Sequence, residues 1–550
     1  MASALKDPDV LIVGAGPTGL ALACELARHG LSFRIIDQDE APAGIPKAVG
    51  VQSRTLEALD IMGLAEQFLA HGHRIYGFNL YAKGQRLAHV ALDDMPTRYS
   101  YMLTIPQSET ERLLTERLDS TGGRVERPVR FTGLKQEQEG VSAMLDSSAG
   151  TETVRARWLV GCDGAHSGVR HALDLAFEGS RYEESFLLAY ARIETDLPTD
   201  EAHAFFTPEG PVAVLPLPLG RHYLILPLLK SVSEEDRTAV SLEEVTSLLV
   251  DRGLSNVRMV EPIWLTKFRV HRRIVGSLHV GRIFLCGDAA HIHSPAGGQG
   301  MNLGIQDAFN LAWKLALVQR GAGRPVLLDS YHPERHPIAE AILSATDLAT
   351  RAVMLVNPVG QTVRNRLVMF LTSFDVVWQR LTQGVAGLTW NYRRSPIVAG
   401  QHSNAISTLL SGQRAWGVAL EAGDRAPDGT VWRAGSDTPV RVYELLRVSR
   451  HALLLFAGQT AATDSRNLAV IGRQVHDRYK GLIDVHLISG ASLPKGPDWE
   501  GSLLLDREGA LHRQYGAGCF YLIRPDGYIG YRSRTPDGDR LFDYLQTVFT

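Results

Sequence analysis

The sequence contains few cysteines, and none of them are closely spaced. Cys24, Cys162, Cys286 and Cys519 are the only four in 550 residues. This wide spacing argues against a disulfide framework and against structural zinc, and it favours a reducing compartment. No uninterrupted apolar stretch reaches the roughly 20 residues that are needed to span a bilayer. We therefore expect a soluble, cytoplasmic protein without a membrane segment.

The sequence also lacks a strong charge bias. Its formal net charge is −3, and acidic and basic residues are interleaved, so we expect no polyanion-binding face and no nucleic-acid partner. There is no internal repeat and no low-complexity segment. A chain of 550 residues with 45% hydrophobic residues is long enough for two or three domains with ordinary cores.

What the sequence does contain near its N-terminus is a glycine-rich segment, Gly14-Ala15-Gly16-Pro17-Thr18-Gly19. It follows an apolar run, Val10 to Val13, and it precedes a helical pattern from Leu20 to His29. Strand, turn and helix in this order are the context in which such glycines bind a dinucleotide.

Each glycine has its own expected role. Gly14 allows the tight turn, Gly16 lets the backbone approach a pyrophosphate, and Gly19 lets the helix pack on the strand. The next apolar run ends in Asp37, where a carboxylate would accept hydrogen bonds from an adenosine ribose. An acid there favours a free 2′-hydroxyl, so we expect FAD or NAD rather than NADP. A glycine turn without a ligand is the alternative, which the strand, helix and acid together disfavour.

Two later segments also place an acid at the end of a buried strand. Cys162-Asp163-Gly164 follows the apolar run at 158–161, and Gly287-Asp288-Ala289-Ala290-His291 follows the run at 283–286. The second segment continues through Pro295 and residues 297–302 into a long helical pattern. Together with the glycine segment, they indicate three parts of one flavin site.

The organisation of the chain follows from shifts in pattern. Strand-like and helix-like pieces alternate up to about residue 180, and the sequence is strand-rich from Phe186 to Val270, with a predicted hairpin around Leu219-Gly220-Arg221. Helical character extends from Met301 to about Leu388. A polar stretch at 421–429 then precedes a compact α/β unit of about 125 residues.

The three motifs, in this order, resemble those of the FAD-dependent aromatic hydroxylases, the single-component flavoprotein monooxygenases that include phenol and para-hydroxybenzoate hydroxylases. The resemblance covers residues 1 to about 345, and the C-terminal unit resembles the thioredoxin-like domain of the phenol hydroxylase branch. It implies an α/β fold with a Rossmann-like FAD-binding domain interleaved with a β-sheet substrate domain, then a helical segment and a C-terminal thioredoxin-like α/β domain. The expected boundaries are 1–180 for FAD binding (with inserted substrate-domain strands near 75–105), 181–275 for the substrate sheet, 276–345 for the return to the FAD domain, 346–420 for the helical segment and linker, and 421–550 for the thioredoxin-like domain.

The resemblance also implies roles for individual residues. Asp163 and Arg170 match a motif that serves FAD and the nicotinamide donor, Asp288 matches the aspartate on the ribityl hydroxyls, and Gln107 matches a glutamine on the flavin chain. Pro295 matches the proline beside the flavin ring, and its carbonyl is a candidate acceptor for the substrate hydroxyl. The full set of expected cofactor-binding residues is Gly14, Gly16, Pro17, Thr18, Gly19, Asp37, Lys47, Arg54, Gln107, Asp163, Arg170, Asp288, Pro295, Gly298, Gly300, Met301 and Asn302.

Two features of this set have a physical reading. The backbone N–H groups of Met301 and Asn302 match those that face the flavin pyrimidine, and a helix N-terminus favours the negative charge of a reduced flavin by about 0.3–1 kcal/mol. Lys47 departs from the family, where many relatives carry arginine. A lysine offers no planar fork, which puts a bidentate contact there in doubt.

Other conspicuous residues have plainer interpretations. His291 and His293 could suggest a metal cluster, but no cysteine or further acid stands at ligand spacing, and we expect no metal. The segment 331–337, rich in histidine and proline, is expected to begin a helix. Arg272 and Arg273 could contact the phosphate of NAD(P)H or end a strand.

The C-terminal unit lacks the chemistry of a thioredoxin. Its strand Leu453 to Phe456 leads into residues 457–461, which contain no cysteine, and thiol–disulfide exchange needs an attacking and a resolving thiol. Cys519 is expected to be a core residue. A turn at Arg524 to Gly527 is expected between two strands. The role of this unit is expected to be structural or dimer-related.

The resemblance implies that NADPH or NADH reduces FAD, that the reduced flavin forms a C4a-hydroperoxide with O₂, and that an oxygen atom is transferred to a phenolic ring. Three readings stay open: an aromatic hydroxylase, a polyketide-tailoring hydroxylase or Baeyer–Villiger monooxygenase, and a non-catalytic flavin-binding protein. A general base is not assignable, although Tyr190, His222 and Tyr223 lie in the strand-rich region. A small aromatic or polycyclic substrate is expected, and a homodimer is left open.

Overall fold

The computed structural model describes residues 7–42, 44, 47–228, 240–294, 297–354, 357–372, 375–400, 420–457, 462–490, 499 and 501–550. The chain folds as two compact units. The first comprises Met1–Leu56, Ala65–Ala308 and Arg335–Leu388, and the second comprises Glu57–Leu64, Phe309–Glu334 and Thr389–Thr550. No helix within the described ranges is long and apolar enough to cross a membrane.

The helices and strands are numbered in chain order. The helices are α1 (Pro17–Arg28), α2 (Ser53–Ile61), α3 (Ala65–His71), α4 (Gln107–Ser120), α5 (Gly168–Ala172), α6 (Leu242–Asp251), α7 (Gly300–Gln319), α8 (Val326–Asp329), α9 (Tyr331–Val353), α10 (Pro358–Thr372), α11 (Asp375–Val385), α12 (Val442–Leu445), α13 (Ala462–Arg478), α14 (Ala510–Tyr515) and α15 (Gly538–Val548). The strands are β1 (Val10–Val13), β2 (Phe33–Ile36), β3 (Gly50–Val51), β4 (His73–Ile75), β5 (Gly77–Ala82), β6 (Gln85–Ala91), β7 (Met102–Thr104), β8 (Val125–Glu126), β9 (Val129–Gln136), β10 (Val141–Ser147), β11 (Gly150–Ala156), β12 (Trp158–Gly161), β13 (Phe177–Glu194), β14 (Glu201–Thr207), β15 (Gly210–Leu217), β16 (Arg221–Leu228), β17 (Arg258–Val275), β18 (His279–Val280), β19 (Ile283–Leu285), β20 (His291–Ile292), β21 (Ala399–Gly400), β22 (Thr430–Arg433), β23 (Pro439–Arg441), β24 (His451–Phe456), β25 (Ile483–Ser489), β26 (Ser502–Leu505), β27 (Cys519–Ile523) and β28 (Ile529–Ser533).

A six-stranded sheet in the first unit has the order β18-β19-β12-β1-β2-β8. β1 is parallel to β2 and β12, and β12 is parallel to β19. All four residues of β1 are buried, as the continuous apolar run of an interior parallel strand requires. The three sequence motifs follow β1, β12 and β19, so they meet at the carboxyl edge of one sheet, where α/β folds bind their ligands.

The helix after the glycine segment begins earlier than the sequence pattern predicts. α1 starts at Pro17 rather than at Leu20, with Gly16 as the extended residue before it. Proline suits the first helical position, because its fixed φ matches the helix and its missing N–H would have no intrahelical acceptor.

The first unit also contains an eight-stranded sheet of order β20-β17-β13-β16-β15-β14-β5-β6. β15 and β16 pair in antiparallel fashion around Leu219, which confirms the predicted hairpin. Side chains alternate along its strands: Leu187 and Ala189 belong to a core that also contains α6 residues, whereas Phe186 and Leu188 line a cavity. One face of the sheet is therefore a core and the other face is a binding wall.

Helices follow the third motif, as the sequence predicts. α7 and α9 are long, and α10 and α11 extend the helical region to Val385. The segment rich in histidine and proline begins α9 at Tyr331, which confirms its interpretation as a helix start.

The second unit contains an eight-stranded sheet of order β21-β28-β27-β24-β25-β26-β22-β23. The predicted strand is found as β24, and β27 pairs with β28 across the predicted turn at 524–527. Residues 458–461 of the expected redox loop lie outside the described residues. Cys519 is buried in β27, and burial raises the pKa of its thiol to about 12, so it is a poor nucleophile at neutral pH.

A buried ion network supports the second unit. Arg524 donates to both carboxylate oxygens of Glu334 at 2.6 and 2.9 Å, and Lys314 donates to Glu334 at 2.7 Å. Burial would raise the pKa of Glu334, but Arg524 and Lys314 hold it well below its usual range. The expected domain boundaries stay predictions.

Candidate active site

The three glycines of the first motif meet different neighbours. Gly14 has a φ of +101°, and a Cβ there would lie 2.4 Å from the carbonyl oxygen of Cys162; a Cβ at Gly19 would lie 1.9 Å from the carbonyl oxygen of Gly14. The space around Gly16 is open to at least 4 Å. The two outer glycines therefore close the turn, and the middle one leaves room for a phosphate in front of the N-terminus of α1, which has no side-chain cap.

Thr18 connects the first motif to the third. Its hydroxyl oxygen would lie 2.6 Å from a Cβ at Gly287 and 2.2 Å from a Cβ at Gly304. Both positions must be glycine for the motif after β19 and the start of α7 to approach α1 this closely.

Asp37 lies at the carboxyl end of β2, and its carboxylate bridges two loops. It accepts hydrogen bonds from the backbone N–H groups of Ala15 at 2.7 Å and Asp39 at 2.9 Å, and it pairs with Arg127 at 3.1 Å. These contacts leave lone pairs of the carboxylate for a ribose hydroxyl.

The second motif is organised around Asp163. Its carboxylate accepts from the Ser167 hydroxyl at 2.6 Å and from the Val169 N–H at 3.1 Å. Burial raises the pKa of Asp163, and these hydrogen bonds oppose the shift. Arg170 donates to the carbonyl of Ala289 at 3.0 Å, which ties this motif to the third.

The third motif is held from behind by a buried carboxylate. Asp307 accepts from the Gly287 N–H at 3.0 Å and from His291 Nε2 at 2.8 Å, and it pairs with Arg335 at 2.7 Å. Burial would raise the pKa of Asp307, but Arg335 and His291 lower it. His291 is thus a support for the loop, and no group of metal-ligating side chains occurs among the described residues.

Asp288 itself points to the other side, towards open space. Its residue surface is exposed to the cavity, yet the surrounding walls desolvate its carboxyl and raise its pKa, while His291 and His293 oppose the shift. Asp288 Oδ1 and His293 Nε2 lie 4.0 and 3.6 Å from the position that a Cβ would take at Gly300. The N-terminus of α7 is therefore flanked by a carboxylate and an imidazole.

The start of α7 is clamped to β3. The Asn302 side chain accepts from the Gln52 N–H at 2.8 Å and donates to the carbonyls of Gly50 at 2.8 Å and Gly298 at 2.7 Å. Gln52 in turn donates to the carbonyl of Gly297 at 3.0 Å. The loop that was predicted to face the flavin ring is fixed by amide side chains rather than by packing alone.

All of these elements surround one cavity of 1720 Å³ in the first unit. Most of the expected cofactor-binding residues line this cavity, namely Gly14, Gly16, Pro17, Thr18, Asp37, Lys47, Gln107, Asp163, Arg170, Asp288, Gly298, Gly300 and Met301. Three other expected residues do not line the cavity: Gly19, Arg54 and Asn302. Pro295 lies outside the described residues. The individual cofactor contacts stay predictions.

The residues of the cavity fit a flavin dinucleotide. Open space in front of Gly16 suits a pyrophosphate, and two buried polar atoms near the start of α7, His293 Nε2 and Gln299 Oε1, have no partner among the described residues. Buried polar atoms in folded proteins nearly always have a hydrogen-bond partner, and a bound cofactor would supply one here.

Sequence reasoning missed several lining residues. Gln52, Arg127 and Trp378 all face the cavity, yet each lies outside the motifs. Gln52 is two residues before Arg54, and this proximity to an expected cofactor-binding residue is all that could have indicated it in the sequence. Nothing in the local sequence marks Arg127 or Trp378.

This fold and site are those of an FAD-binding oxidoreductase, and comparisons with known proteins define the class further. The chain matches the family model described as "FAD binding domain" over residues 7–346 and the one described as "Aromatic-ring hydroxylase, C-terminal" over residues 420–550. The chain belongs to the family of FAD-dependent aromatic-ring hydroxylases. It is a flavoprotein monooxygenase, and the expected fold class is confirmed.

Three similar proteins match this chain nearly from end to end. The 6-methylpretetramide 4-monooxygenase of Streptomyces rimosus is 35% identical over 98% of this chain and 93% of its own length. Pentachlorophenol 4-monooxygenase of Sphingobium chlorophenolicum is 33% identical over 98% of this chain and 97% of its own. The solved structure of OxyS anhydrotetracycline hydroxylase from Streptomyces rimosus has a TM-score of 0.76 and 30% identity over 98% of this chain and 99% of that chain.

Proposed function

We propose that this monooxygenase uses NADPH or NADH, FAD and O₂ to hydroxylate the phenolic ring of a polycyclic aromatic substrate. The observation that carries the proposal is the cavity. At 1720 Å³ it exceeds the roughly 300–1,000 Å³ of ordinary small-molecule sites, so a dinucleotide along the motif edge leaves room for a second large ligand against the eight-stranded sheet. Relatives named for pretetramide and anhydrotetracycline support a polycyclic ligand.

Bound FAD, once reduced, supplies the activation of O₂, and the protein supplies binding, orientation and shielding. The N-terminus of α7 favours negative charge beside the Gly297–Gly300 loop. Apolar side chains on the eight-stranded sheet keep water away from the reacting atoms. They include Phe78, Leu80, Phe186, Leu188, Leu215 and Ile225.

Of the three candidate bases, only Tyr223 lines the cavity. Its hydroxyl donates to the carbonyl of Lys47 at 3.0 Å, and burial raises its pKa far above neutrality. Tyr223 therefore positions the Lys47 loop as a neutral donor. Tyr190 bonds to Arg221 at 2.9 Å, and burial lowers the pKa of His222 to about 4. We assign none of them as a general base.

The nicotinamide donor is proposed to approach Arg170 and Arg273. Both line the cavity, and their guanidinium carbons lie 4.0 and 5.9 Å from the ring centre of Phe177. Burial lowers the pKa of Arg170, and the nearby charge of Asp163 opposes this shift. Two such cations flanking an aromatic ring favour a phosphate-bearing ligand.

A matched ligand series tests the proposal. NADPH and NADH oxidation by the FAD-loaded protein would be measured with hydroxylated one-ring, two-ring and three-ring aromatics, while peroxide and product are quantified together. We expect oxidation to be stimulated most by the larger ligands, with product exceeding peroxide. Stimulation by single-ring phenols alone would overturn the polycyclic assignment.

The pentachlorophenol relative favours a single-ring phenol as the second candidate. A Baeyer–Villiger outcome would add the same single oxygen atom, and NMR of the product separates a lactone from a phenol.

We also propose that the protein is cytoplasmic, which cell fractionation tests, and that it forms a homodimer, which light scattering tests.

A further inference from the structure

Trp378 carries a buried polar atom that has no partner among the described residues. Trp378 on α11 lines the cavity, and its indole Nε1, which has no contact with solvent, forms no hydrogen bond with any described residue. An indole N–H can only donate. A buried donor without an acceptor is unfavourable, so we expect a ligand in the cavity to supply the acceptor.

The surroundings of Trp378 show that this face of α11 is a ligand wall. Trp378, Leu381, Thr382 and Val385 all line the cavity, and their spacing of three, four and seven residues places them on one side of a helix. The Thr382 hydroxyl donates to the carbonyl of Trp378 at 2.7 Å. On the side of α11 that lines the cavity, the indole N–H of Trp378 is therefore available to donate a hydrogen bond to a ligand.

The other end of α11 is fixed to the cofactor loop. Gln299 donates to the carbonyl of Val385 at 2.7 Å, and the N–H of Arg54 donates to the carbonyl of Ala386 at 3.0 Å. Trp378 is seven residues before Val385, which is about 10 Å along the helix. A ligand that reaches from the cofactor loop to Trp378 must be longer than one aromatic ring.

We infer that Trp378 is a specificity-determining residue, whose indole N–H donates a hydrogen bond to a carbonyl, quinone or ether oxygen at the end of the substrate remote from the hydroxylated ring. The inference rests on the proposed function. It narrows the substrate to an elongated, fused-ring phenol that carries an oxygen acceptor at its far end.

The test uses two ligands of one shape, a three-ring hydroxylated aryl ketone and its analogue with the remote carbonyl reduced to a methylene. Dissociation constants would be measured from the change in flavin absorbance of the FAD-loaded protein. We expect the wild type to bind the ketone about five- to fiftyfold more tightly than the analogue. In Trp378→Phe, which keeps an aromatic ring and loses the donor, this preference should disappear.

Leu381→Ala is the matched control, because it removes apolar surface from the same helix face and no polar atom. It should weaken both ligands by a similar factor and keep the preference. Equal loss of both ligands in Trp378→Phe would overturn the inference and leave the polycyclic assignment intact. If the wild type binds FAD and neither three-ring ligand, the proposed function fails, and the inference fails with it. Lack of preference in the wild type would overturn the inference without any variant.

Discussion

Arg170 donates a 3.0 Å hydrogen bond to the carbonyl of Ala289, and thereby joins two motifs that are 119 residues apart. A second hydrogen bond of 2.9 Å reaches the carbonyl of Ala165. One guanidinium thus fixes the loops that carry Asp163 and Asp288 with respect to each other. The carboxyl ends of β12 and β19 bring these loops together, and Arg170 sets their spacing.

Replacing this guanidinium should weaken cofactor binding. Arg170→Met loses two hydrogen bonds from a charged donor, each worth about 1.5–3 kcal/mol, and we expect FAD affinity to fall at least tenfold. Flavin fluorescence during titration of the apoprotein measures it. Arg155→Met, at an exposed position on β11, is the control. Equal affinities in the two variants would show that Arg170 does not hold the loops.

Alanine substitutions at two glycines of the first motif, Gly16 and Gly19, should have different effects. Gly16→Ala meets no atom within 4 Å, so the variant should keep the melting temperature of the apoprotein while FAD affinity falls tenfold or more. Gly19→Ala places a Cβ 1.9 Å from a carbonyl oxygen, and the apoprotein itself should be destabilised. Thermal unfolding with and without FAD separates the two effects. A destabilised Gly16→Ala apoprotein would contradict the open space seen at this position.

The strand, turn and helix around Gly14 to Gly19 could be predicted because local sequence dictates them. The acids Asp37, Asp163 and Asp288 could be placed because parallel strands bring their carboxyl ends to one edge. The pairing of Asp307 with His291 and Arg335 could not be predicted, because it joins residues of three separate elements, α7, β20 and α9. The position of Trp378 at the cavity could not be predicted either, because an aromatic residue in a helical pattern usually packs in a core.

The ion network of the second unit should matter for stability. Arg524→Met leaves Glu334 and Asp526 buried with less compensation, and loss of one partner of a buried ion pair costs about 3–5 kcal/mol. Urea unfolding followed by fluorescence measures this loss. Arg507→Met is the control, because Arg507 pairs with an almost fully exposed Asp437. A loss below about 1 kcal/mol, typical of surface ion pairs, would show that the network is not stabilising.

Acid should destabilise the second unit through a buried histidine. Burial lowers the pKa of His451 to about 3, against about 6.5 in an unfolded chain. The unfolded state therefore binds the proton first, and stability falls as the pH decreases from about 6.5 towards 3. One such group changes the unfolding constant about tenfold per pH unit.

Removing this imidazole should reduce the pH dependence. In His451→Phe, the slope of the free energy of unfolding against pH between 4.5 and 6 should fall by the equivalent of one proton. Urea unfolding at a series of pH values measures the slope. His476→Gln, at an exposed position on α13, should leave it unchanged. An unaltered slope in His451→Phe would mean that His451 is not buried in its neutral form.

The most direct test of the account is oxygen transfer itself. The FAD-loaded protein would be incubated with NADPH, a three-ring hydroxylated aryl ketone and isotopically labelled O₂, and the product would be analysed by mass spectrometry. We predict a product that carries one labelled oxygen atom on the aromatic ring, formed in proportion to NADPH consumed. Unlabelled product, or NADPH consumption that yields only labelled peroxide across one-ring and polycyclic phenols alike, would contradict a cavity built for aromatic hydroxylation.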